Sequence, residues 1–166
     1  MAKKNRPVLE IPRSEQERLL DTLTILALAL LILLPVLNYG SLPEEVPTHF
    51  NGKGEVDAWD SKSYIWILPG IGVLMAVFMH FLTKIPHHYN YTVEITEENA
   101  PTQYQRARTV IRFFNTFDTV LFLAITWFMI QGAKGNTTGS KWMLPIIIIA
   151  TLCAVIYAFR VTYRKD

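Results

Sequence analysis

The sequence predicts an all-α integral membrane protein, a four-helix transmembrane bundle with a small hairpin-like outer loop between helices 1 and 2. Two observations predict it. Apolar residues make up 51% of the 166-residue chain and collect in four blocks, and the basic residues crowd into alternate connections between those blocks. Each block comes close to the roughly 20 helical residues that a bilayer core requires at about 1.5 Å of rise per residue.

The first block spans about 19–39 and reads LLDTLTILALALLILLPVLNY. The second, 64–82, carries no Asp, Glu, Lys or Arg, and the third, 113–131, holds one acid, Asp118. The fourth, 142–159, is again free of formal charge. Buried helices of a soluble bundle would show a polar face at the 3.6-residue period. Leu26–Leu37 and Leu144–Ile149 show none. The segments 1–18 and 160–166 are left outside the four-span domain, 19–159.

Lys3, Lys4, Arg6, Arg13 and Arg18 precede the first span; Lys84, Arg106, Arg108 and Arg112 lie in or close the second connection; Arg160, Arg164 and Lys165 follow the fourth span. The other two connections hold only Lys53 with Lys62 and Lys134 with Lys141. The positive-inside rule puts the richer side, and both termini, in the cytoplasm. The asymmetry accounts for the net charge of +2, and no basic stripe of the kind that binds nucleic acid is present. The basic stretch before the first span is mixed with Glu10, Glu15 and Glu17, and no A-x-A-like site follows Leu37. The first block therefore reads as a retained anchor rather than a signal peptide. Cys153, the single cysteine, falls inside the fourth span, where a thiol is most often a small packing residue.

Aromatic, small and proline residues fit the same frame. Tyr39, Tyr64, Trp66 and Trp142 mark the outer interface, Tyr157 and Tyr163 the inner one. Ala150, Ala154 and Ala158, and the shorter pair Gly72 and Ala76, form four-residue stripes that let helix backbones approach in lipid. Pro35, Pro69 and Pro145 fall toward the outer ends of their helices.

The outer loop reads LPEEVPTHFNGKGEVDAWDSKS. Val46–Phe50 and Glu55–Trp59 alternate, and Asn51-Gly52-Lys53-Gly54 between them is a strong hairpin signal, because Asn and Gly tolerate positive φ. Asp60, Ser61 and Ser63 are candidate caps for the second span. The hairpin brings His49, Glu55 and Asp57 near one another. Imidazole with carboxylates suits a divalent cation, but no H-x-x-x-H or C-x-x-C spacing supports one, and a hydrogen-bonded His49 pinning the hairpin is the simpler expectation. No metal and no cofactor are assigned. Trp59 reads as an interfacial anchor, and Lys62 sits at head-group level.

The run Pro47-Thr48-His49-Phe50-Asn51, then Gly54-Glu55, Asp57, Trp59, Ser61-Lys62 and Pro69, resembles the signature of a bacterial membrane domain of unknown function. That domain forms the N-terminal half of SdpI-type immunity proteins. Asn90-Tyr91, Ile95-Thr96-Glu97-Glu98-Asn99 and Gln103-Tyr104 resemble the stretch those proteins carry after their second span. The likeness runs from about Leu23 to Phe117; SdpI-type proteins continue into a further multi-span half, whereas this sequence has four spans. It implies a bacterial cytoplasmic (inner) membrane. It also implies a role in protecting the producing cell's membrane from a secreted toxin, with signalling to a repressor added in some members. The candidate partner-binding residues are His49, Asn51, Glu55, Asp57, Trp59 and Lys62.

Inside the bilayer, Asp118 is the residue to explain, because a carboxylate in a span is costly and usually has a partner. The second span leaves on the side where the third enters, so His80, Asn115 and Asp118 form a candidate polar cluster, joined by Arg112 or Asp21. It reads either as a clamp between helices or as a proton or ligand site with His80 titrating near neutrality. In the inner loop, Thr102 with Gln105 fits a capping box after Pro101, starting a helix that runs into the third span with Arg106 and Arg108 near anionic head groups. Adjacent His87 and His88 cannot share a metal on a helix.

No Walker-type loop or nucleophile constellation occurs, so an enzyme is not expected. Two functions stand. One is a non-enzymatic immunity or sensor-like protein meeting a peptide or toxin at its outer loop. The other is a small transporter or membrane enzyme using the cluster around Asp118 and His80. A solute pathway through four short helices would call for a homo-oligomer. The lipid bilayer is the common partner, and nucleic acid is not one.

Overall fold

The four apolar blocks become four helices: α1 (Glu15–Asn38), α2 (Ile67–Leu82), α3 (Ala100–Ala133) and α4 (Met143–Thr162). A computed structural model describes residues 6–163. Lys3, Lys4, Arg164 and Lys165, which entered the charge count, lie outside the described residues. Two strands, β1 (Glu45–Phe50) and β2 (Val56–Ser61), pair antiparallel between α1 and α2. The fold is thus mostly helical, with four helices long and apolar enough to cross a membrane and one hairpin at the bundle end away from the termini.

Side-chain placement supports a lipid environment. Leu37 and Leu74 are each 72% exposed, and the outward faces of α1, α2 and α4 carry Leu26, Leu30, Val77, Ile149 and Leu152. In water such continuous apolar surface would drive association; against acyl chains it costs nothing.

Local chemistry sets the helix ends. Ser14 caps α1 reciprocally: its hydroxyl accepts from Glu17 N at 3.2 Å, and Glu17 Oε2 accepts from Ser14 N at 2.8 Å. A cap of this kind is worth about 1 kcal/mol. The third helix runs unbroken into its span as expected, but it starts at Ala100. Thr102 and Gln105 therefore lie inside it and do not cap it. Pro101 occupies the first turn, and Thr96 and Asn99 exchange side-chain-to-backbone bonds just ahead of it. Asp60, Ser61 and Ser63 do not cap α2 either. A 3₁₀ turn, Lys62–Trp66, intervenes, Asp60 accepts from Thr48 Oγ1 at 2.7 Å, and the two serine hydroxyls bond each other.

The longest helix, α3, is the hub that packs against α1, α2, α4 and β1. Gly72 and Ala76 are buried on α2, and the small-residue spacing there does what it suggested. A Cβ at Gly72 would lie 2.7 Å from Leu31 Cδ2 of α1 and 3.3 Å from Phe122 of α3. Ala154 is the buried position of α4. Gly72→Val is expected to destabilise the detergent-solubilised protein by about 1–3 kcal/mol through overpacking. Gly70→Val, with nothing within 4 Å of its Cβ, should leave the denaturation midpoint unchanged; equal effects of the two would refute the close approach.

Candidate functional site

The hairpin is a docked cap. Its register pairs Glu45 with Ser61, Pro47 with Trp59 and Phe50 with Val56, and irregularities flank His49. Pro47 is tolerable because a two-stranded ribbon has only edge strands. At the turn, Asn51 Oδ1 accepts from the backbone N–H groups of Lys53 (2.9 Å) and Glu55 (3.1 Å), and Asn51 Nδ2 donates to Glu55 Oε2 at 3.0 Å. Val46 is fully buried with Leu42, Ile65, Met129 and Ile130, which roots the ribbon on the end of α3. Gly132 permits this, since a Cβ there would meet Pro47 Cγ at 2.8 Å.

The predicted outer-loop residues divide by role. His49 Nδ1 lies 2.5 Å from Asp57 Oδ1, so those two are brought together. Glu55 instead serves the turn through Asn51. Trp59 stays 47% exposed. Lys62 Nζ donates to Glu44 at 2.8 Å and sits 5.6 Å above the Tyr39 ring, which in turn packs on Trp66. Among the described residues, no three His, Cys, Asp or Glu side chains converge as a metal site would need. Below the ribbon lies a cavity of about 320 Å³. Thr48, His49 and Tyr64 are its polar lining, and Leu68, Met129 and Met143 belong to its apolar lining.

At the opposite end, the intramembrane cluster forms in part. His80, Asn115 and Asp21 wall one cavity together with Thr24 and Ala76. Asn115 Nδ2 donates to Ala76 O at 3.2 Å and so ties α3 to α2. Asp118 is not among these walls. It is half-buried and makes no hydrogen bond or ion pair among the described residues. Arg112 bonds Asp21 at 3.0 Å, not Asp118.

The densest polar site was missed in the sequence. Glu17 is fully buried, and its four acceptor positions are all used. Oε1 accepts from Arg108 Nε and Arg112 Nη1, each at 3.0 Å; Oε2 accepts from Arg108 Nη2 and Ser14 N, each at 2.8 Å. Arg108 is therefore a buried, bidentate partner, not a head-group residue. It also donates to Ile11 O at 2.8 Å. The spacing carried a signal: two arginines four residues apart on a helix entering a membrane share a face and are costly there unless paired.

The segment before α1 straps this site. Arg6 Nη1 donates to Tyr89 O and His87 O, and Tyr104 donates to Pro7 O at 3.1 Å. Tyr89 donates to Leu82 O and Tyr91 to Pro86 O. Burial pushes the Tyr89 phenol up to about 12 and raises Tyr91 as well, so both remain donors at neutral pH. Desolvation, with His88 alongside, lowers His87.

Comparison with known proteins falls on the hairpin half of the molecule. A family described as a domain of unknown function (DUF1648) matches residues 25–73, from within α1 through the ribbon into α2. An uncharacterized protein of the archaeon Archaeoglobus fulgidus is 38% identical over 74 residues, 45% of this chain. The chain spans about 40% of that relative's length. No solved structure matches. The family match covers the cap with the adjoining parts of α1 and α2, while Arg108 and Arg112 lie beyond it.

Proposed function

We propose that this chain is a non-enzymatic, multi-pass membrane protein that receives a peptide at its hairpin end, in an immunity or sensor-like role of the SdpI type. The hairpin then faces outward, and both termini face the cytoplasm of a bacterial cell, as the basic asymmetry and the family resemblance imply. One observation carries this reading: a cavity of about 320 Å³ lies between the ribbon and the helix ends, its walls mostly apolar with Thr48, His49 and Tyr64 among them. A cavity with apolar walls and a few placed polar groups suits one large apolar side chain of an incoming peptide. His49, fixed by Asp57, is placed to orient the peptide's backbone.

The test is survival under challenge. Cells expressing the wild type, His49→Ala or Asp57→Ala are exposed to peptide toxins from related strains, with membrane levels checked by blotting. Wild-type cells should survive at higher doses, and both variants should lose most of that protection at equal membrane abundance. Equal survival of all three with every toxin would overturn the proposal.

A further inference from the structure

The end of the bundle that holds the termini carries a second, unassigned feature. A polar cavity of about 570 Å³ lies between the strap 9–13 and the start of the α2–α3 connection, and Arg13, Lys84, Arg108 and Arg112 wall it. Exposed Glu10 is the one acid at its lip. Glu17 and Asp21 hold the three guanidinium groups in place. Three cations against two acids leave one positive charge on that network; Lys84 adds another and Glu10 offsets one, so the mouth keeps a net charge of about +1. Arg112 places two nitrogens on the acids, while its Nη2 has no protein partner among the described residues and is not sealed from solvent. Lys84 Nζ likewise has no partner there, and its side chain is exposed.

This cavity adjoins a second one, of about 370 Å³, through Arg13, which walls both. The second runs between α1 and α2 and is lined by Ile25, Leu28, Val77 and Phe81. From Asp21 to Leu28 the helical rise is roughly 10 Å, so the paired cavities pass from a cationic mouth at the helix ends to an apolar slot at acyl-chain depth. A mouth with unmet cationic donors above an apolar slot complements an amphiphile with an anionic head.

We infer that the paired cavities bind one anionic glycerophospholipid, its phosphate at Arg112 Nη2 and Lys84 Nζ and one acyl chain in the slot between α1 and α2. Basic residues at the membrane surface attract anionic lipid by roughly fivefold each. Here Arg112 is fixed in advance by Glu17 and Asp21, so little side-chain entropy is lost on binding.

Full-length protein in mild detergent would be examined by native mass spectrometry with phosphatidylglycerol, phosphatidylcholine and soluble glycerol 3-phosphate. Phosphatidylglycerol should be retained about 5–25-fold more strongly than phosphatidylcholine, at about fivefold for each basic contact. Lys84→Ala, which removes no side-chain hydrogen bond or ion pair among the described residues, should erase about fivefold of that retention, and Leu28→Trp should block the slot and reduce it as well. Equal retention of the two lipids, or no change in either variant, overturns the inference. Binding of glycerol 3-phosphate as tight as that of the lipid also overturns it, because the occupant is then a soluble phosphate.

Discussion

Glu17→Ala is expected to cost about 3–5 kcal/mol of folding stability, the largest effect of any single substitution considered for this chain. The physical reason is the asymmetry of buried ion pairs. Removing the carboxylate does not merely delete a favourable contact. It leaves Arg108, whose side chain is 8% exposed, without a carboxylate partner and Arg112, 4% exposed, with Asp21 alone, at the edge of an apolar bundle. The same substitution removes the reciprocal cap of α1, since Glu17 Oε2 accepts from Ser14 N. Stability would be read as the denaturant midpoint of the detergent-solubilised protein. Glu17→Gln should fall between wild type and Glu17→Ala, because it keeps a cap acceptor but not the charge. Arg108→Ala alone should also destabilise strongly. The double variant Glu17→Ala/Arg108→Ala should lose clearly less than the sum of the two, as coupled groups do. A loss below about 1 kcal/mol for Glu17→Ala, the range of a solvated surface pair, would contradict the burial described here.

That cluster also shows what the sequence conceals. The helices were legible because twenty apolar residues in a row have few other structures available. The ribbon was legible because the turn residues 51–54 and the alternation around them act locally, although positive φ falls at Gly54 and not at Asn51 or Gly52, where the Asn-Gly signal had placed it. His49 and Asp57 met as expected because a hairpin brings near neighbours in sequence together. Glu17 and Arg108 are 91 residues apart, and no local pattern states that distance. Glu17 instead read as a charge among charges ahead of the first span. Asp118 shows the reverse error. Its type and depth drew attention, yet of the groups expected to join its cluster, Arg112 and Asp21 bond each other and Arg112 also bonds Glu17. When several acids compete for few arginines, pairing follows helix facing and not depth alone, and facing is a tertiary property.

Gly54→Ala is expected to lift the hairpin off the bundle. Two independent costs act at this position. Gly54 has φ of +79°, and a left-handed backbone costs a residue with a Cβ about 1–2 kcal/mol. A Cβ there would also stand 2.4 Å from Ser140 O and 2.5 Å from Lys141 Cα. Those are backbone atoms of the connection between α3 and α4, which cannot rotate away as a side chain would, so the ribbon tip has to move. Opening of the ribbon should become roughly 5–30-fold more frequent, seen as faster hydrogen exchange at the amides of 45–61 and faster tryptic cleavage after Lys53. Gly52→Ala is the control. It lies in the same turn, has no positive φ, and nothing lies within 4 Å of its Cβ, so it should exchange like wild type. If the two alanine variants behave alike, the ribbon is not seated on the α3–α4 connection. If Gly54→Ala alone opens it, the same variant should weaken protection in the survival assay with His49 and Asp57 untouched. His49, held by Asp57, is useful to a partner only while the cap keeps it at the cavity.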